Sequence, residues 1–194
     1  TIKINKKQII VGLDCDTEEE VETILTLLDP NLYRVKVGKQ LFMNCGPNII
    51  EKINNFGFEI FLDLKLHDIP NTVSKALQNI LKLNIWMTNI HLSGGREMIE
   101  ASVNKIKEFN NETLLVGVTV LTSLDDKNLE EIGFYRNTEE STLVLAKLGK
   151  EIGIDGVVAS LNSVSEIKTT FGNDFVTVTP GIRMQQNDED QKRS

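Results

Sequence analysis

The sequence predicts an α/β fold, a parallel barrel of the (β/α)8 TIM type, on three observations. Short apolar runs of strand length alternate with helical apolar spacing along all 194 residues, a pattern that implies a parallel sheet covered by helices. The first strand-to-helix turn, Leu13-Asp14-Cys15-Asp16-Thr17, has no glycine-rich fingerprint, which speaks against an open dinucleotide-binding sheet. Polar residues gather at nearly every strand's C-terminal end, the side on which barrel enzymes assemble their chemistry.

The elements follow in order. Residues 9–13 are an apolar strand ending at Asp14, and Asp16 and Thr17 offer N-caps to an acidic first turn, Glu18-Glu19-Glu20, with Val21, Ile24, Leu25 and Leu28 at helical spacing. Residues 32–37 form a second strand that ends in Gly38-Lys39, and Gly46-Pro47 opens a helix burying Ile49, Ile50 and Ile53. A third strand enters past Gly57 with Phe58, Ile60, Leu62 and Leu64, followed by a helix carrying Val73, Ala76, Leu77, Ile80 and Leu81. Strands at 85–91 and 113–120 end at Ser93-Gly94-Gly95-Arg96 and Leu121-Thr122-Ser123 respectively. The connection 124–138 holds a short helix before a main helix over 141–152. A sixth strand at 156–160, a helix over 163–171 and a seventh strand at 175–179 lead to Pro180-Gly181-Ile182-Arg183.

With 40% hydrophobic and 25% charged residues and no low-complexity linker, the chain reads as a single domain over 1–194 with a sizeable core. A net charge of −7 argues against nucleic acid or an acidic membrane as the main partner. It leaves room for an anionic small ligand held by local cations and helix N-termini. Cys15 and Cys45 are too few for a disulfide framework and lack metal-site spacing. No stretch reaches the about 18 apolar residues of a membrane span, and no signal peptide is read, so the expected location is cytoplasmic.

The stretch Phe61-Leu62-Asp63-Leu64-Lys65-Leu66-His67-Asp68-Ile69-Pro70-Asn71-Thr72 carries the chemistry. Residues two apart on a strand share a face, so Asp63 and Lys65 point the same way, and Asp68 follows just past the strand end. Opposite charges on one face of a core strand are costly unless they pair with each other or with a ligand. By spacing alone this fits a structural ion pair as well as a site. On the second strand Arg34, Lys36 and Gly38 share a face, which brings Lys36 beside Asp63 in a parallel sheet and predicts an array of Lys36, Asp63, Lys65 and Asp68. Such an array holds each charge rigidly, as electrostatic preorganisation requires.

The string Asp-Leu-Lys-Leu-His-Asp-Ile-Pro-Asn-Thr over 63–72 closely resembles the signature of the orotidine 5'-monophosphate decarboxylase family, and Thr179-Pro180-Gly181-Ile182-Arg183 resembles that family's phosphate loop. The resemblance implies cofactor-free and metal-free decarboxylation of orotidine 5'-monophosphate to uridine 5'-monophosphate, the last step of uridylate synthesis. It implies that Lys65 stabilises and protonates C6, that Asp63 lies against the departing carboxylate, and that Lys36 and Asp14 bind the ribose. It assigns Thr122 to the pyrimidine, Arg183 to the 5'-phosphate and Gln191 to a lid over the ligand. Asp68 and Thr72 match positions that reach the partner's site, which implies a homodimer.

The family carries an eighth strand ending in a Gly-Arg phosphate turn that has no counterpart before Ser194, so the expectation is a barrel whose eighth strand and helix are missing by truncation. Met184 stands where the family often has proline. Two rivals remain: a Mg2+-dependent keto-sugar-phosphate decarboxylase of the same barrel group, and a non-catalytic nucleotide-binding barrel. His67, His91, Trp86, Phe134 and the Ser93-Gly94-Gly95 turn are read as structural.

Overall fold

Every strand of the fold lies parallel beside its predecessor in the chain. The computed structural model describes residues 7–109 and 112–182. Its strands are β1 (Ile9–Gly12), β2 (Tyr33–Gly38), β3 (Ile60–Leu66), β4 (Met87–His91), β5 (Leu114–Val118), β6 (Gly156–Val158) and β7 (Val176–Val178). They form one seven-stranded sheet in the order β1-β2-β3-β4-β5-β6-β7, with every pairing parallel. Sequential parallel neighbours joined by helices curl into a barrel wall.

The covering helices are α1 (Glu18–Leu27), α2 (Lys39–Cys45), α3 (Asn48–Asn55), α4 (Pro70–Ile80), α5 (Arg96–Glu108), α6 (Asp126–Glu131), α7 (Thr138–Ile152) and α8 (Leu161–Phe171), with a 3-10 turn at Leu92–Gly94. Helix α1 starts where a capping box is built from Thr17 and Glu20. Pro70 opens α4, where its missing N–H costs nothing.

Strand alternation decides the two faces. Val35, Val37, Ile60 and Leu62 pack outward with Val21, Leu25, Ile49, Ile50 and Ile53 in one buried cluster. Ile90, Leu115 and Val157 do the same with Leu77, Ile99, Leu145 and Ile167. A smaller cluster of Phe61, Met87 and Val116, flanked by Ile10, Leu114, Val158, Val176 and Val178, fills the concave side. Gly156 is needed where β6 meets β7, since a Cβ there would lie 2.2 Å from the Val176 carbonyl oxygen.

The strands' N-terminal ends carry a charged floor. The Arg34 guanidinium lies 3.9 Å from the centre of the Trp86 ring, and its Nε is 2.9 Å from Glu59 Oε2. Lys7 Nζ stands 3.4 Å from the same oxygen. Trp86 is thus a half-buried part of this floor, at the end of the barrel that serves stability rather than chemistry.

The sequence expectation misses one helix and differs elsewhere in the bounds of elements, such as β5 and β6, which are shorter than read. Helix α2 is not visible in the apolar pattern, because Leu41 is its one buried side chain and Met43 points outward at 81% exposure.

Candidate active site

The charged side chains of the site come from the C-terminal ends of neighbouring strands. In the parallel register Lys36 stands opposite Phe61, and Gly38 opposite Asp63. This stagger sets the Lys36 ammonium 3.5 Å from Asp63 Oδ2. Two residues past β1, Asp14 approaches from the other side, its Oδ1 3.8 Å from the same ammonium. Lys65 Nζ donates to Asp63 Oδ1 at 2.8 Å. Asp63 is therefore the hub, gripped by two ammonium groups. It is also the buried member at 7% exposure, whereas the Lys36 and Lys65 side chains remain 28% and 30% exposed.

A third donor is a residue that sequence reasoning did not single out. Asn89, fully buried on β4, donates from Nδ2 to Asp63 Oδ1 at 2.6 Å. Its Oδ1 accepts the Lys65 backbone N–H at 2.7 Å. The available signal was an amide in the middle of an otherwise buried strand, where it must find partners. Lys65 itself has φ 49°, a left-handed conformation that costs a non-glycine residue about 1–2 kcal/mol. The strain coincides with a register shift between β3 and β4 that spans Leu62 to Leu66.

Burial pushes the Asp63 carboxyl up, but the Lys65 charge and hydrogen bond, the Asn89 amide and the Lys36 charge outweigh it and hold the group below the ordinary carboxylate range. Asp63 is thus an anion at neutral pH inside a cationic clamp. Farther along the same rim, the His67 and His91 rings face each other with centroids 5.3 Å apart. Burial, then His67, Lys39 and Lys65, push His91 down to about 4, with Asp63 opposing. That imidazole is neutral at physiological pH.

The remaining sequence-predicted residues lie apart from this cluster. Asp68 is exposed, and its Oδ1 accepts the Ile69 N–H at 2.7 Å. It therefore does not join the Lys36–Asp63–Lys65 array within its own chain. Thr72 is exposed in the first turn of α4. Thr122 is half-buried in the turn after β5; the capping of α6 is carried out by Asp125 with Asn128, so Thr122 is not needed as a helix cap. The Ser93-Gly94-Gly95 segment leads into α5 with Gly95 at the N-cap and no side-chain cap bond. Arg183 and Gln191 lie outside the described residues. Among the described residues no group of three or more His, Cys, Asp or Glu is arranged to hold a metal ion.

This geometry can stabilise developing negative charge beside one carboxylate and deliver a proton from an adjacent ammonium. Comparisons with known proteins point the same way. The family described as Orotidine 5'-phosphate decarboxylase / HUMPS family matches residues 7–194. The orotidine 5'-phosphate decarboxylase of a Marinomonas species is 49% identical over 187 residues, spanning 95% of this chain and 80% of that protein. That of Saccharophagus degradans is 44% identical over 182 residues, spanning 94% and 76%. The crystal structure of orotidine 5'-phosphate decarboxylase from Lactobacillus acidophilus is similar with a TM-score of 0.84 at 40% identity, covering 90% of this chain and 81% of that one.

Proposed function

This chain belongs to the orotidine 5'-phosphate decarboxylase / HUMPS family, and from that premise we propose that it is a carboxy-lyase converting orotidine 5'-monophosphate to uridine 5'-monophosphate, the closing step of pyrimidine nucleotide synthesis. The observation that carries the reading is the Lys36–Asp63–Lys65 cluster, with Lys65 Nζ 2.8 Å from Asp63, at the rim where barrels carry out chemistry.

In the proposed reaction the bond from C6 to the carboxylate breaks, carbon dioxide leaves, and the electron pair stays on C6. The Lys65 ammonium faces that carbon, stabilises the charge as it develops and then transfers a proton to it; water restores the ammonium. Asp63 meets the substrate's carboxylate as one anion meets another, a repulsion relieved as carbon dioxide departs. Lys36 holds Asp63 and a ribose hydroxyl, and Asp14 binds the ribose. Thr122 contacts the pyrimidine, and Arg183 and Gln191 take the phosphate and close over it. No cofactor enters the reaction.

Asp68 and Thr72 serve the site of a second copy, so the working unit is a homodimer. Support comes from the exposure of Asp68, Ile69 and Thr72 together at the start of α4, with Ile69 leaving 65% of an apolar side chain uncovered. We assign this work to the cytoplasm: Cys15 and Cys45 are unpaired, and among the described residues no helix is long and apolar enough to cross a membrane.

The test is the ultraviolet loss of orotidine 5'-monophosphate in EDTA. Turnover is expected in the native chain and a fall of at least about 10³-fold in Lys65→Ala, because the variant loses both charge stabilisation and the proton donor. Turnover only after Mg2+ is added would transfer the chain to keto-sugar-phosphate decarboxylation. Tight uridylate binding without turnover would make it a silent binding barrel.

A further inference from the structure

Strands β3 and β4 pair Leu62 with Thr88 and next Leu66 with Ile90, so three residues of β3, Asp63 to Lys65, stand against Asn89 alone. Such a bulge interrupts the ladder and re-aims side chains. Two neighbouring side chains of β4 secure its edges. Thr88 Oγ1 donates to the Leu62 carbonyl oxygen at 3.1 Å, before the bulge. Asn89 spans the bulge itself, accepting the Lys65 N–H at 2.7 Å and donating to Asp63 Oδ1 at 2.6 Å.

We infer that Asn89 is a positioning residue for the reaction: its buried amide ties the Lys65 backbone to the Asp63 carboxylate and so sets the acid–ammonium pair. The inference rests on the assignment of that pair to the chemistry above. An amide is suited to the task because one planar group offers an acceptor and a donor side by side. Aspartate of the same shape lacks the donor, leucine lacks both, and glutamine is one carbon longer. Lys65 reaches Asp63 from a backbone held at φ 49°. Without the Asn89 acceptor, the residue is free to return to ordinary extended geometry, which swings its side chain away. Removal of the Asn89 donor also takes one of the hydrogen bonds that keep Asp63 ionised.

The experiment uses Asn89→Leu, Asn89→Ser, which is too short to bridge both partners, and Thr88→Val as the control at the bulge's edge. In both Asn89 variants kcat for orotidine 5'-monophosphate is expected to fall about 10²-fold, the effect of small misplacements at a reacting centre, with KM within about threefold of native. The Asp63 carboxyl, followed by ¹³C NMR, is expected to titrate at higher pH than in the native chain and in Thr88→Val. An unmoved Asp63 titration, kcat within about twofold of native, or loss of the fold in both variants would overturn the inference. Absence of turnover in the native chain would remove the assignment of the reaction, while the Asp63 titration would still read Asn89's hold on the pair.

Discussion

His91 makes the fold sensitive to acid. Its imidazole titrates near 4 in the folded chain against 6.5 ordinarily, through burial and the neighbouring His67, Lys39 and Lys65, with Asp63 as the opposing charge. A histidine with a depressed folded value contributes its full share of stability above 6.5. As pH falls from 6.5 towards 4, the unfolded chain takes up a proton that the folded chain refuses, and that share is lost. The native protein should therefore lose about 1–3 kcal/mol more than His91→Phe between pH 7 and 4.5. Guanidinium denaturation at the two pH values measures the difference; equal losses would show that the ring is not protected. At the same scale, the Asp63–Lys65 pair could be anticipated because opposite charges on one face of a core strand demand partners, while its reading as a site together with Lys36 came from the resemblance of the 63–72 string. Asn89 was not legible in the sequence, because its role depends on a bulge that no spacing rule announces.

At the scale of the element, α1 shows how closely local chemistry can be read. Thr17 Oγ1 accepts the Glu20 N–H at 3.3 Å, and Glu20 Oε2 accepts the Asp16 and Thr17 N–H groups at 2.9 and 3.3 Å. Thr17→Ala should cost about 1 kcal/mol of global stability with orotidine 5'-monophosphate turnover unchanged, as denaturant titration and the ultraviolet assay together would show. A larger kinetic effect would mean that α1 also tunes the neighbouring Asp14. Such caps are written in a few consecutive residues. Helix α2 was missed for the opposite reason: with Leu41 its one buried side chain, it has little apolar stripe to read. The strands read as 113–120 and 156–160 run past the ends of β5 and β6 because Thr119, Val120, Ala159 and Ser160 stay buried there, and the Thr119 and Ala159 N–H groups still donate to the Val158 and Val178 carbonyl oxygens of the next strand.

At the scale of the whole molecule, the composite-site reading makes a quantitative prediction. Lys65→Ala and Asp68→Ala should each be nearly inactive alone. When the two are mixed and allowed to exchange subunits, each hybrid dimer regains one site with native Lys65 and Asp68. Random exchange would then restore about a quarter of native activity. Failure to recover activity despite exchange, followed by a tag on one variant, would confine the site to one chain.

The alternation of strand and helix and the parallel order of the strands were determined by the sequence alone. Each depends on periodicity or on neighbours within a few residues, and parallel connection rules leave few alternatives. The charged cluster that the sequence offered also held Asp68, which stands apart from Lys36, Asp63 and Lys65 in its own chain. Only the tertiary structure decided how the charges meet. The stagger between β2 and β3 sets Lys36 against Asp63, the bulge turns Lys65 onto the same carboxylate, and Asn89 arrives from a strand 26 positions away in the chain. Those contacts depend on register and curvature, which arise from packing the whole sheet against its helices and are not encoded in any local run of residues.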